Sequence, residues 1–163
     1  MPAGYTASKL LALAQSEPRL FERVAHVLLP HDYVAFVLTG ERWMECGAAS
    51  GTGFFDPVRR RFDARAMEAV DARLAAMLPP LCAPDAIGGV LSRAGAELLG
   101  LEPGLPVSAG SGDNMCSAIG AGATRPGVVV LSLGTSATIF HHSSTPVLDP
   151  EGLVAPFSDA SGA

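Results

Sequence analysis

The chain has 163 residues, 48% of them hydrophobic and 17% charged, with a formal net charge of −5. That length holds one domain or pieces of two, and that apolar content excludes a disordered chain. The acidic balance excludes long-range attraction to DNA or RNA; the one basic run, Arg59 to Arg61, lies beside Asp56 and Asp63 and reads as a solvated hairpin.

Residues 6–29 carry Leu10, Leu11, Leu13, Leu20, Phe21, Val24 and Leu28 at three- and four-residue steps, which predicts a helical stretch with one apolar face. Pro18 divides it into two helices, with Ser16 as a cap. Pro30 opens a third helix over H-D-Y-V-A-F-V-L-T-G, and Gly40 lies past its end. The stretch S-G-T-G-F-F-D-P-V-R-R-R-F-D reads as a hairpin about a D-P turn. A helix is predicted over 63–77, on Met67, Val70, Leu74 and Met77. L-P-P-L-C-A-P-D-A-I-G-G-V reads as a long loop or extended connection. A short helix over 92–99 ends at Gly100.

From Leu105 the pattern turns strand-like. P-V-S-A-G predicts a buried strand, G-S-G-D-N a turn, and N-M-C-S-A-I-G-A-G-A a close-packing helix of small residues. T-R-P-G, residues 124–127, marks a change of character. G-V-V-V-L-S-L-G-T-S-A-T-I-F-H-H-S then predicts two strands about a tight turn. A lone hairpin is marginal in water, so the sheet is expected to continue beyond Ala163.

Three segments can carry chemistry. In A-G-S-G-D-N, residues 109–114, Gly110 and Gly112 let a ligand approach the backbone. Asp113 stands where a helix starts, a place that favours its ionised form, and could accept a proton from a hydroxyl that Asn114 orients. The same residues serve for an N-cap and a turn alone, and composition favours that plainer use. In S-L-G-T-S, residues 132–136, successive N–H groups can form a concave nest for phosphate oxygens, and an ordinary hairpin turn is the alternative. S-G-T-G, residues 50–53, is another small-residue turn that could approach a nucleotide or permit close packing, and packing is the favoured use.

Other chemistry is excluded by pattern. Ala109 breaks a G-x-S-x-G elbow around Ser111, no Rossmann glycine triplet follows Gly110 and Gly112, and no G-x-x-x-x-G-K-[ST] occurs. His141 and His142 are adjacent on a strand and point to opposite faces, so they do not share a metal. His31 reads as a surface or cap residue and Trp43 as core. Cys46, Cys82 and Cys116 are odd in number and widely spaced, which argues against a disulfide framework or zinc site and for a reducing cytoplasm. No signal peptide is visible, and no apolar run approaches the roughly 20 residues that span a bilayer.

Taken in order, G-Y-T-A-S-K-L-L, L-P-H-D-Y-V-A-F-x-L-T-G-E, A-S-G-T-G-F-F-D, P-V-S-A-G-S-G-D-N-M-C-S-A-I-G-A-G and P-G-V-V-V-L-S-L-G-T-S-A-T-I-F resemble successive blocks of the FGGY family of carbohydrate kinases, nearest its xylulose kinase branch. The resemblance covers nearly the whole chain. It implies an α/β fold of the ribonuclease H-like kind found in actin and the sugar kinases, two domains with a cleft between them. Residues 1–125 would be the C-terminal part of the N-terminal, sugar-binding domain, and 126–163 the start of the C-terminal, ATP-binding domain.

The same resemblance makes Asp113 the general base, places Asn114 and Gly112 against the sugar, and gives Gly134, Thr135 and Ser136 to the ATP phosphates. The implied reaction is ATP-dependent phosphorylation of a sugar primary hydroxyl, D-xylulose before ribulose, gluconate, fuculose or glycerol, with ATP and Mg²⁺ as cofactors and no metal ligand within this stretch. The implied partners are a small-molecule sugar and ATP, with no nucleic acid and no membrane; a homodimer is allowed. Ala12 stands where the family usually has Trp, and Ala48 where it usually has Asp. The resemblance makes the chain an interior piece of a longer pattern, without the D-x-G-T phosphate loop that helps place Mg²⁺ or the Gly-rich adenosine site, so the chain alone is expected to be inactive. From a different class, the alternative is a truncated, non-catalytic remnant whose exposed sheet edges favour self-association.

Overall fold

The computed structural model describes residues 3–161. Helix α1, Thr6–Ser16, buries Ala7 and Leu10. Pro18 sits at the first position of α2, Pro18–Phe21, and breaks the helical run as anticipated. Two details differ. Ser16 caps nothing; its hydroxyl donates to the Ala12 carbonyl, 2.7 Å away, and closes the last turn of α1. Beyond Phe21 the chain leaves the helix instead of continuing to residue 29. Pro30 pushes the residue before it into extended backbone, seen as Leu29 ψ 161°. The freed segment pairs elsewhere, the Val27 N–H donating to the Met77 carbonyl at 3.0 Å.

Helix α3, Pro30–Thr39, ends at Gly40 in the left-handed region. Its third residue, Asp32, reaches back to accept from the Leu29 N–H at 2.9 Å. His31 is more than a surface residue: its Nε2 lies 3.0 Å from the buried Asp32 carboxylate, which raises the imidazole above its ordinary pKa.

Strand β1, Met44–Glu45, runs into α4, Cys46–Ser50. The expected hairpin forms from β2, Phe55–Asp56, and β3, Arg61–Phe62. Asp56 accepts from the Val58 and Arg59 N–H groups and the Arg59 guanidinium, which keeps this basic turn local and solvated. In the S-G-T-G turn Thr52 is fully buried, its hydroxyl donating to the Ala49 carbonyl and accepting from the Phe54 N–H. That supports packing as its role.

The helix predicted over 63–77 is two pieces, α5, Ala64–Glu68, and α6, Leu74–Met77. Asp71 breaks it by accepting from the Arg73 N–H and guanidinium, and Arg73 stacks 4.9 Å over the Phe21 ring. The Pro-rich connection contains β4, Leu81–Cys82, parallel to β1, and β5, Ile87–Val90. After α7, Arg93–Leu99, β5 pairs antiparallel with β6, Pro106–Ser108. The burial foreseen for P-V-S-A-G is met only at Ala109: Pro106 and Ser108 are exposed and Val107 half-buried, and among the described residues β5 is the one strand paired with β6. Helix α8, Asp113–Gly120, buries Met115 and Ala118. Strands β7, Val129–Leu133, and β8, Ala137–His141, pair in register from Val129–His141 to Leu133–Ala137.

One apolar core gathers Leu10, Phe21, Met44, Phe54, Leu74 and Met77. Each such side chain contributes roughly 1.5–3 kcal/mol by leaving water. A second contact joins α3 to α7, where Ser92 donates to the Leu38 carbonyl through both its N–H and its hydroxyl, at 3.0 and 2.9 Å. The β7–β8 hairpin shows Val129, Leu131, Leu133 and Ile139 to solvent. The chain then turns back: buried His142 pairs through Nδ1 with Asp159 at 3.1 Å, and the Ser158 N–H donates to the Ser50 hydroxyl of α4 at 3.0 Å. Among the described residues no helix is long and apolar enough to cross a membrane.

Gly95 lies where α7 crosses α3, and a Cβ there would run into the Leu38 backbone carbonyl. Gly95→Ala is therefore expected to destabilise the fold by about 1–3 kcal/mol, the range for overpacking against a neighbour that cannot yield. Chemical denaturation of the two proteins measures this, and an unchanged midpoint would refute the close crossing.

Candidate active site

The site starts at β1. Residues two apart in an extended chain face the same way. Met44 enters the core, while Trp43 and Glu45 both reach the turn that precedes α8. The Trp43 Nε1–H donates to the Ala109 carbonyl at 3.0 Å, and the Ser111 hydroxyl donates to Glu45 Oε2 at 3.2 Å, each bond spanning 66 residues of chain. Glu45 is 0% exposed. Its carboxylate also accepts from the Gly47 N–H at 2.6 Å and the Ala48 N–H at 3.0 Å, so it caps α4. Three donors satisfy a carboxylate whose burial would otherwise be prohibitive.

Between the two ties, Gly110 adopts φ +80°, a conformation that side chains rarely take, and swings the chain toward the helix. Gly112 then occupies the cap position of α8, with φ −65° and ψ 146° and no side-chain acceptor. Asp113 is thus not the cap that the sequence suggests. It is the first helical residue, because the backbone enters the helix one residue earlier than a capping aspartate requires. Its Oδ1 accepts from the Asn114 N–H at 2.8 Å. Asp113 and Asn114 are both exposed. A carboxylate at the first turn of a helix sits at the positive end of the macrodipole.

The second candidate group, Gly134, Thr135 and Ser136, forms the exposed tip of the β7–β8 hairpin. The Gly134 N–H donates inward to the Ser136 carbonyl at 2.9 Å. A phosphate nest at this tip would therefore draw its donors from Thr135 and Ser136. Gly112, Asp113 and Asn114 are contiguous; the hairpin tip is on a separate element. A hollow of about 370 Å³ is lined by His26, Leu28, Tyr33, Phe36 and Arg42 and includes neither group.

Glu45 and the bonds of Trp43 and Ser111 carry no sequence motif. A lone acid inside W-M-E-C-G-A-A, followed by small residues, was the available sign of a buried cap. The Glu45 carboxylate also reaches the thiols. Burial, then Glu45, pushes Cys82 up to about 11. Burial raises Cys46 as well, with Arg60 opposing and Glu45 adding to the rise. Among the described residues no three His, Cys, Asp or Glu side chains gather to hold a metal ion.

Residues 1–120 match the family model described as the FGGY family of carbohydrate kinases, N-terminal domain. The chain belongs to the FGGY family of carbohydrate kinases. It is 38% identical over 160 residues to the xylulose kinase of Haemophilus influenzae, covering 97% of this chain and 32% of that protein. To the xylulose kinase of Streptomyces coelicolor it is 39% identical over 163 residues, covering 98% and 32%. Among solved structures, a xylulose kinase from Brucella ovis superposes with a TM-score of 0.88 at 34% identity, over 95% of this chain and 32% of that one. The fold is accordingly part of the ribonuclease H-like α/β architecture of the actin and sugar kinase group. This FGGY chain spans about a third of the length of the relatives it matches.

Thiol reactivity offers a check on the Glu45 neighbourhood. In the folded chain at pH 8, alkylation of exposed Cys116 is expected to outpace that of Cys46 and Cys82 by at least about tenfold, because thiolate is the reacting species. Peptide mass spectrometry after timed labelling reads this directly; equal rates at all three sites would contradict the buried arrangement.

Proposed function

We propose that this segment supplies the general base and part of the phosphate-holding surface of a kinase that converts D-xylulose to D-xylulose 5-phosphate at the expense of ATP. The observation that carries the reading is the Asp113 carboxylate, exposed at the first turn of α8 on a turn tied down from two sides, in a chain of the FGGY family. Such a carboxylate accepts the proton of a primary hydroxyl as its oxygen attacks the γ-phosphorus, and the bond to the ADP oxygen breaks. Asn114 orients that hydroxyl through its amide, and Gly112 leaves room for the sugar against the backbone. Thr135 and Ser136 offer N–H groups and hydroxyls to the ATP phosphates, and Gly134 leaves that tip open. We assign the Mg²⁺ that accompanies ATP to ligands outside these 163 residues.

The choice of sugar follows the two relatives, both xylulose kinases. Residues 1–125 then form the C-terminal part of the sugar-binding domain and 126–163 the start of the ATP-binding domain. That division is supported by the family match ending at residue 120 and by β7 and β8 pairing, among the described residues, only with each other.

Two outcomes are expected. In a protein of the relatives' full length that carries this segment, Asp113→Asn lowers kcat for xylulose by about 10²–10⁴-fold, the usual worth of a general base, with KM little changed. Near-normal turnover in a coupled ADP-release assay would remove Asp113 from the mechanism. The purified 163-residue chain shows no ATP-dependent xylulose phosphorylation, because phosphoryl transfer needs positioning and charge neutralisation from several sides. Robust turnover by that chain contradicts this.

A further inference from the structure

We propose that Glu45 is a positioning residue that sets the place of Asp113 through the Ser111 hydroxyl, an inference that rests on Asp113 acting as the base. Capping α4 already occupies Glu45 with the Gly47 and Ala48 N–H groups, and a cap needs no third donor. The third donor comes from Ser111, two residues before Asp113 in the turn Gly110-Ser111-Gly112. Both flanking residues lack side chains, so the hydroxyl of Ser111 is the one side-chain group that can fix this turn from within. Left loose, a glycine-flanked turn samples many backbone states, and Asp113 would move with it.

The anchor is well suited to hold. Glu45 is completely buried and its carboxylate is gripped by backbone on α4, so it has little freedom to follow the turn. Trp43, 4% exposed, fixes the entry to the same turn at Ala109. Two bonds from one strand thus bracket Ala109 to Ser111 and leave Asp113 one short glycine step beyond a fixed point. A displacement of about 1 Å in a catalytic group costs up to about 10²-fold in rate.

The test uses three variants in a protein of the relatives' full length: Ser111→Ala, Ser111→Thr and Asp113→Asn. Ser111→Ala removes the bond to Glu45 and leaves the α4 cap intact; Ser111→Thr keeps a hydroxyl. The expected result is a fall in kcat of about tenfold for Ser111→Ala, with KM for sugar and ATP within about twofold and the protein still folded at the assay temperature, although a buried carboxylate short of one donor lowers its unfolding midpoint. Ser111→Thr restores most of the lost kcat. The positioning role is overturned if Ser111→Ala keeps kcat within twofold while Asp113→Asn abolishes turnover. It is also overturned if the loss of rate disappears once turnover is referred to the folded fraction, or if Ser111→Thr fails to restore rate. Normal turnover by Asp113→Asn instead sinks the assignment of the base, and this inference with it.

Discussion

A single buried carboxylate organises the functional half of this chain. Glu45 sits where three segments far apart in sequence converge: it ends β1, it caps α4, and it receives the hydroxyl of the turn before α8. A charge without water is tolerated only when donors surround it. That requirement forces the small residues Gly47 and Ala48 to present their N–H groups and forces Ser111 to face inward. Burial, with that charge adding to it, also raises the Cys46 and Cys82 thiols above their ordinary pKa.

The core and the site divide the labour of β1 between them. Met44 packs with Leu74, Phe54 and Met77, while its neighbours Trp43 and Glu45 face the other way and grip the Ala109–Ser111 turn. The alternation of an extended strand, two residues long as paired, thereby connects hydrophobic packing on one side to the placement of Asp113 on the other. The strand's parallel partner β4 comes from the Pro-rich connection, so a stretch with little regular structure still contributes to the frame.

Much of the architecture was legible because local signals agreed with the outcome. Pro30 and Gly40 bracket α3, Gly100 ends α7, and the two apolar runs around L-G-T-S pair as foreseen. The misses have two causes: local side-chain bonds that reset the backbone, and one tertiary bond, from Val27 to Met77. Ser16 turned back to Ala12, Asp71 and Arg73 split one helix into two, and residues 22–29 gave up helical bonds for contact with Met77. Asp113 is a candidate from residue type and family pattern, and Gly112 rather than Asp113 takes the cap, a one-residue register that composition does not encode. Glu45 went unseen because hydrogen bonds spanning 66 residues leave no periodic trace.

The return of the chain after β8 has a mechanical meaning. The pairing of His142 with Asp159 and the bond from Ser158 to Ser50 moor the tail of the hairpin to α4, the helix that Glu45 caps. Swinging the hairpin away from α4 must either rupture buried bonds or tow that helix along. The tip that carries Thr135 and Ser136 is therefore a boom on a short tether, free to sweep only as far as its mooring allows.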